Sequence, residues 1–192
     1  VQNHLMQLLC LTAMEPPNKF TPNAVRNEKL KIIEALEPVP ADDIARGQYR
    51  TSGEQGSYLD HSGNPNSITE SFIAMKVEVS NWRWAGTPFY LRTGKCLRER
   101  ASEIAVFFRN PPHMIFPGAE TPHGNVLVIR LQPDEGMTLH TTIKDPGPGG
   151  MRLTEASLDM TFADSLKDSE RPQDAYERLI MDVIRGDQTL FM

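Results

Sequence analysis

The chain has 192 residues, of which 39% are hydrophobic and 23% are charged, a composition typical of a globular protein with one substantial core. Its 20 Lys and Arg against 25 Asp and Glu give a net charge of −5, which argues against a protein that grips nucleic acid through a general basic field. No apolar run approaches the ~20 residues that cross a bilayer, and no signal peptide opens the chain. We therefore expect a cytoplasmic protein without a membrane partner.

The cysteines and histidines predict neither a disulfide framework nor a metal site. Cys10 and Cys96 are too few for a disulfide scaffold and lack metal-ligand spacing, so we expect both to be buried, reduced thiols. The remaining histidines are scattered without ligand spacing: His61, His113, His123 and His140.

Two helices are predicted before residue 40. Apolar residues recur at helical spacing over residues 1–14, and Pro16 ends that pattern. Thr21 and Pro22 are typical of the start of a second helix that runs towards Pro38. Because the chain begins and ends inside apolar patterns, we expect it to be a piece of a longer protein.

The rest of the chain predicts a long loop, six strands and a last helix. Residues 40–68 are polar and rich in glycine, as in a functional or mobile loop. Strand patterns follow over residues 73–79, 88–92, 103–109, 125–131, 137–143 and 156–162. A helix is predicted over 172–185, with Gly186 as its stop. The predicted fold class is α+β, with a large, mostly antiparallel sheet and flanking helices. No strand–GxGxxG–helix unit is present, so we expect no Rossmann domain and no cofactor-binding residue in this chain.

His4 is the first candidate for chemistry. A neutral imidazole can accept a proton from a substrate hydroxyl near neutral pH, but it needs a carboxylate to orient it, and the predicted helix offers none. The alternative is a half-buried helix histidine with a local hydrogen bond.

A second candidate is the basic stretch that follows the predicted strand 88–92. Lys95 and Arg100 lie there with further cations, and Gly94 would allow a sharp turn. Such a cluster can hold a small anion, although a solvated basic turn is the simpler interpretation of the residues alone. Gln132 follows another strand and is either a contact for sugar hydroxyls or a turn residue.

Two tryptophans flank Arg83 at the entrance to the strand that begins near Pro88. An Arg between aromatic side chains could stack on nucleic-acid bases. Packing of Trp82 and Trp84 at the strand entrance is the simpler interpretation, and the net charge also disfavours a nucleic-acid partner.

Five segments in order along the chain resemble the glucose-6-phosphate dehydrogenase family. They are QNHLMQLL at 2–9, RGQY at 46–49, WAGTPFYLRTGK at 84–95, IRLQPDE at 129–135 and DAYERL at 174–179. Each motif alone is weak, but five in family order are specific.

The resemblance implies a role for each candidate residue. The family oxidises glucose 6-phosphate at C1 to the lactone and passes a hydride to NADP. It implies that His4 is the general base, that Lys95 and Arg100 contact the sugar phosphate, and that Gln132 is a further substrate contact. Residues 1–192 then correspond to the C-terminal substrate-binding and dimerisation domain, with a homodimer formed through the sheet.

The resemblance also implies what this chain lacks. NADP would be bound mainly by the missing N-terminal domain, and the carboxylate partner of the base lies in a missing segment. We therefore expect residues 1–192 to be inactive alone. Some members hold a second, structural NADP, but Ala101 and Ala105 stand where those members carry basic residues, although Arg130 remains. The alternative function is a non-catalytic sugar-phosphate-binding or dimerisation module.

Overall fold

The computed structural model describes residues 4–113, 115, 124–148, 150–162 and 175–187. These residues fall into two compact units, the first formed by residues 1–97 and 173–192 and the second by residues 98–172. Among the described residues, no helix has both the length and the apolar character that a membrane span requires.

The described residues of the first unit form four α-helices, a short 3-10 helix (Ala41–Asp43) and a three-stranded antiparallel sheet. Its helices are α1 (His4–Ala13), α2 (Pro22–Glu34), α3 (Tyr58–Ser62) and α4 (Ala175–Arg185). Its strands are β1 (Ile44–Gly47), β2 (Phe72–Glu78) and β3 (Pro88–Gly94), in that order across the sheet.

The core of the first unit lies between α1, α2 and the sheet. Leu9, Cys10 and Ala13 on α1 pack with Ile32 on α2 and with Val79, which follows β2. Phe89 and Leu91 on β3 pack against the same cluster. These side chains come from both helices and from the sheet, and α1 is in direct contact with β3.

The start of α2 confirms the predicted capping signal. The Thr21 hydroxyl accepts a hydrogen bond from the Ala24 amide at 3.4 Å, and Pro22 occupies the first turn, where its missing N–H costs nothing. Gly186, with φ 70°, follows the end of α4 as predicted. Residues 172–174 of the predicted last helix lie outside the described residues.

The prediction of a continuous loop over residues 40–68 is wrong. Strand β1 pairs with β2, aligning Ile44 with Met75, and α3 is closed by a reciprocal capping interaction between Ser57 and Asp60. A strand of four residues has too short a pattern to be recognised locally, because its pairing with β2 is what defines it.

The second unit is a four-stranded antiparallel meander. It consists of β4 (Ser102–Phe107), β5 (Val126–Gln132), β6 (Gly136–Lys144) and β7 (Leu153–Thr161), each paired with the next. The α+β class and the six predicted strands are therefore confirmed. The strands, however, belong to two separate sheets rather than one.

The register of the second sheet separates an apolar face from a mixed face, which we call the polar face because it carries the charged side chains, although Val126 and Val128 also lie on it. Two rows of four directly opposed residues form what we call the apolar face: Ile104, Ile129, Met137 and Met160, then Val106, Leu127, Leu139 and Leu158. The neighbouring rows, on the other face, include Arg130, Thr138 and Asp159. The described residues of this unit contain no helix that could cover the apolar face.

The missing side chain of Gly136 leaves room for the Met160 carbonyl and the Arg130 guanidinium. A Cβ at this position would lie 2.2 Å from the Met160 carbonyl oxygen and 2.7 Å from Arg130 Nη2, and both are closer than real atoms approach. Gly136 is therefore required by close packing and not by its backbone conformation.

We predict that Gly136→Ala destabilises the protein by about 1–3 kcal/mol, because the β6–β7 pair must shift to admit the methyl group. Thermal or urea unfolding measures the effect. Gly47→Ala is the matched control, since nothing lies within 4 Å of its added Cβ. Equal stability of the two variants would contradict the packing role of Gly136.

Candidate functional site

His4 lies at the N-terminus of α1 and is exposed. The first turn of this helix contains no acidic residue, and the imidazole has no hydrogen-bond partner among the described residues. The nitrogen atoms are thus accessible, but no described carboxylate orients the ring. The half-buried alternative is wrong, because the apolar side chains of α1 that face the core begin further along the helix.

Lys95 follows the last residue of β3 and is exposed. Its backbone amide donates to the Ser71 carbonyl at 2.8 Å, which fixes the main chain at the edge of β2. Its ammonium has no ion-pair partner in the described part of the chain. A lysine held at the backbone with an unpaired charge can receive an anion without first breaking an internal pair.

The turn after β3 differs from the prediction. Gly94 has no left-handed backbone conformation, and its missing Cβ instead admits the Phe72 ring, which would lie 2.9 Å away. Cys96 takes the left-handed conformation, with φ 54°. Cys96 is also exposed, so the prediction that both cysteines are buried is correct only for Cys10.

A group of polar side chains near Lys95 was not indicated by the sequence. The Tyr49 hydroxyl lies 3.0 Å from His61 Nδ1, and the Tyr49 amide donates to the Ser71 hydroxyl at 3.0 Å. Burial raises the pKa of Tyr49, and the neighbouring Cys96 side chain raises it further. These residues come from the segment predicted as a loop and from separate turns, so no sequence spacing links them.

Arg100 and Gln132 lie at the same end of the β4–β5 pair in the second unit. Gln132 is the last residue of β5 and is aligned with Ser102, two residues after Arg100. Both side chains are exposed, and Arg100 has no ion-pair partner among the residues described. A guanidinium and an amide at one strand end can bind a phosphate and a hydroxyl group respectively.

The four predicted site residues are thus divided between the units. His4 and Lys95 belong to the first unit, and Arg100 and Gln132 belong to the second. All four are exposed ends of helices or strands, where a side chain can reach a ligand while the backbone is held by regular structure.

Arg130, in contrast, is already engaged within the sheet. Its Nη1 donates to Asp159 Oδ1 at 2.7 Å and also bonds the Thr138 hydroxyl, while Nε donates to the Asp134 carbonyl at 3.2 Å. The Thr138 hydroxyl and then Arg130 lower the pKa of Asp159. The carboxylate therefore remains charged near neutral pH and pairs with Arg130 within the sheet.

The two tryptophans have different environments. The Trp84 indole donates to the Ala13 carbonyl at 2.8 Å and packs edge-on to Phe89, with ring centres 5.1 Å apart. Trp82 is fully exposed, so packing at the strand entrance is confirmed for Trp84 alone. No group of three metal-ligating side chains occurs among the described residues.

We predict that Cys96→Val is less stable than Cys96→Gly by about 1–2 kcal/mol, because a left-handed conformation is costly for a β-branched residue. Urea unfolding of the two variants measures the difference. Equal free energies of unfolding would mean that the turn after Lys95 does not hold this conformation.

Comparison with known proteins places these observations in a family. The family model described as "Glucose-6-phosphate dehydrogenase, C-terminal domain" matches residues 1–192. Glucose-6-phosphate 1-dehydrogenases of Rhizobium meliloti and Mycolicibacterium smegmatis are each 51% identical to the whole chain, which spans 40% of their length.

Solved structures agree with the sequence relatives. A glucose-6-phosphate dehydrogenase in complex with its substrate glucose 6-phosphate matches the whole chain with a TM-score of 0.88 and 39% identity, over 39% of its own length. The enzyme of Mycobacterium avium matches with a TM-score of 0.82 and 33% identity, again over 39% of its length.

Proposed function

Because the chain belongs to the glucose-6-phosphate dehydrogenase family, we propose that it is the C-terminal substrate-binding and dimerisation part of a longer cytoplasmic enzyme that oxidises glucose 6-phosphate. The observation that carries this proposal is the family match over residues 1–192, which includes every predicted site residue. The chain spans about two fifths of its relatives, so the activity belongs to the full-length protein.

By resemblance to the family, His4 is proposed as the general base. Its imidazole accepts the proton of the C1 hydroxyl while the hydrogen on C1 leaves as a hydride, and the two electrons of the O–H bond form the lactone carbonyl. NADP, which the part of the enzyme outside this chain would mainly bind, would supply the acceptor for this hydride. The exposure of His4, with no hydrogen-bond partner among the described residues, is compatible with the carboxylate partner that the resemblance implies outside residues 1–192.

The cations at the strand ends bind the substrate. Lys95 supplies a point charge and Arg100 a planar fork for the phosphate of glucose 6-phosphate, and Gln132 binds a sugar hydroxyl. Their exposed positions, without internal ion pairs for Lys95 and Arg100, support this assignment. A structural NADP is not part of the proposal, because Arg130 is paired with Asp159 and Ala101 and Ala105 offer no charge.

We predict that residues 1–192 alone produce no NADPH from NADP and glucose 6-phosphate above background, because the resemblance places the coenzyme domain and the carboxylate that orients the base in other parts of the enzyme. Absorbance at the NADPH band measures turnover. In the full-length protein, His4→Ala should lower kcat by at least about a hundredfold, the lower range for general bases.

Two results would contradict this assignment. Turnover by residues 1–192 alone would show that the missing segments are dispensable. Unchanged kcat in full-length His4→Ala would favour the non-catalytic module. Lys95→Ala serves as the companion variant, because loss of a phosphate contact should raise KM far more than it lowers kcat.

A homodimer is proposed through the apolar face of the second sheet, where Leu158 is 67% exposed on the edge strand β7. An apolar face that no described helix of its own unit covers is a candidate association surface. We predict that Leu158→Glu shifts the full-length protein towards monomer in analytical ultracentrifugation. Ser157→Glu, on the opposite face of β7, is the control, and dissociation by both variants or by neither would contradict this interface.

A further inference from the structure

The C-terminal end of α1 is attached at two points to the turn that precedes β3. Nε and Nη2 of Arg83 each donate to one carboxylate oxygen of Glu15, two residues after the helix ends, with Nη2 to Oε2 at 2.9 Å. The Trp84 indole donates to the carbonyl of Ala13, the last helical residue. A carbonyl at the end of a helix has no partner within the helix, so this bond satisfies it from outside.

The turn itself is ordered by Asn81. Its side-chain oxygen accepts hydrogen bonds from the Arg83 amide at 3.1 Å and from the Trp84 amide at 2.9 Å. These bonds fix the backbone from which both side chains reach α1. The Arg83–Glu15 pair is bidentate, a geometry that orients its partners in a way that a single exposed ion pair does not.

His4 and Lys95 lie at the far ends of the two elements joined here. From Ala13 the helix runs back along β3 to His4, about 14 Å at 1.5 Å per residue. From the turn, β3 leads to Lys95, about 23 Å at 3.3 Å per residue. A rotation of α1 by about 10° at its attached end would displace His4 by roughly 2 Å relative to β3, and a displacement of ~1 Å can cost a hundredfold in rate.

We propose that Arg83 and Glu15 form a positioning clamp, which holds His4 on α1 at a fixed position relative to Lys95, the phosphate-binding lysine that follows β3. This inference rests on the proposed function, because it assumes the roles of His4 and Lys95. The clamp residues are positioning residues, since their own contacts are to each other and not to the substrate. The same hydrogen bonds from Arg83 hold the pKa of Glu15 below its usual range, so the pair stays charged at the pH where the enzyme works.

The test is steady-state kinetics of the full-length protein, with kcat expressed per folded active site. Arg83→Met and Glu15→Gln should each lower kcat about tenfold and change KM for glucose 6-phosphate less than about twofold, because substrate binding through Lys95 survives while the base is displaced. The double variant should be no worse than either single variant, since both remove one interaction. Exchange of the charges, Glu15→Arg with Arg83→Glu, should recover part of kcat.

A matched control is available in the same unit. Lys76 on β2 forms ion pairs with Glu78 at 2.9 Å and with Asp43 at 3.8 Å, and it is not among the groups that act on Glu15 or Arg83, so Lys76→Met should leave kcat unchanged. If Arg83→Met does not fold, Arg83→Lys provides the same readout, because lysine keeps the charge but loses the bidentate fork.

The outcomes separate the clamp from the proposed function. Unchanged kcat in the Arg83 and Glu15 variants, additive losses, or losses confined to KM or to thermal stability would overturn the clamp. Wild-type turnover and the His4→Ala variant, measured in parallel, test the proposed function itself. Loss of kcat on His4→Ala with normal kcat in the clamp variants would reject this inference alone.

Discussion

The packing of α1 against β3 is the constraint on which the first unit depends. Leu9, Cys10 and Ala13 enter one apolar cluster with Phe89 and Leu91, so that the helix is held by burial along most of its length. Burial is not directional and leaves the helix free to slide or rotate by small amounts. The hydrogen bond from Trp84 and the ion pair of Arg83 act at one end of the contact and remove that freedom.

Charge placement distinguishes the residues available to a ligand from those that serve the fold. Lys95 and Arg100 are exposed at strand ends without ion-pair partners among the described residues. Arg130 stands one strand position from the apolar face, yet its guanidinium is enclosed by Asp159, Thr138 and a backbone carbonyl. A basic side chain in a family motif can therefore be structural, and only its partners show which role it has.

Lys29 shows how a core can contain an amphipathic side chain. It is only 4% exposed, because it packs between α2 and α1 close to Cys10, whose thiol donates to the Lys29 carbonyl. Its position on the buried side of α2, between Val25 and Ile32, follows the helical period. The aliphatic stem of lysine can fill such a position while the ammonium reaches towards the surface.

The sequence by itself determined the features that depend on neighbours along the chain. Helical spacing and the Thr21 cap predicted α1 and α2, alternation predicted six strands, and ordered motifs predicted the family, while the roles that the resemblance implies for the four site residues stay predictions. These signals are local, because capping, periodicity and motif spacing each depend on residues that are close together in the sequence.

Only the tertiary structure decided which distant residues meet. It divided the strands between two sheets, placed β1 beside β2, exposed Cys96, gathered Tyr49 and His61 near Lys95, and joined Glu15 to Arg83 across 68 positions of sequence. The reason is physical: strand pairing and long-range ion pairs depend on how the chain packs in space, and no local pattern specifies the partner.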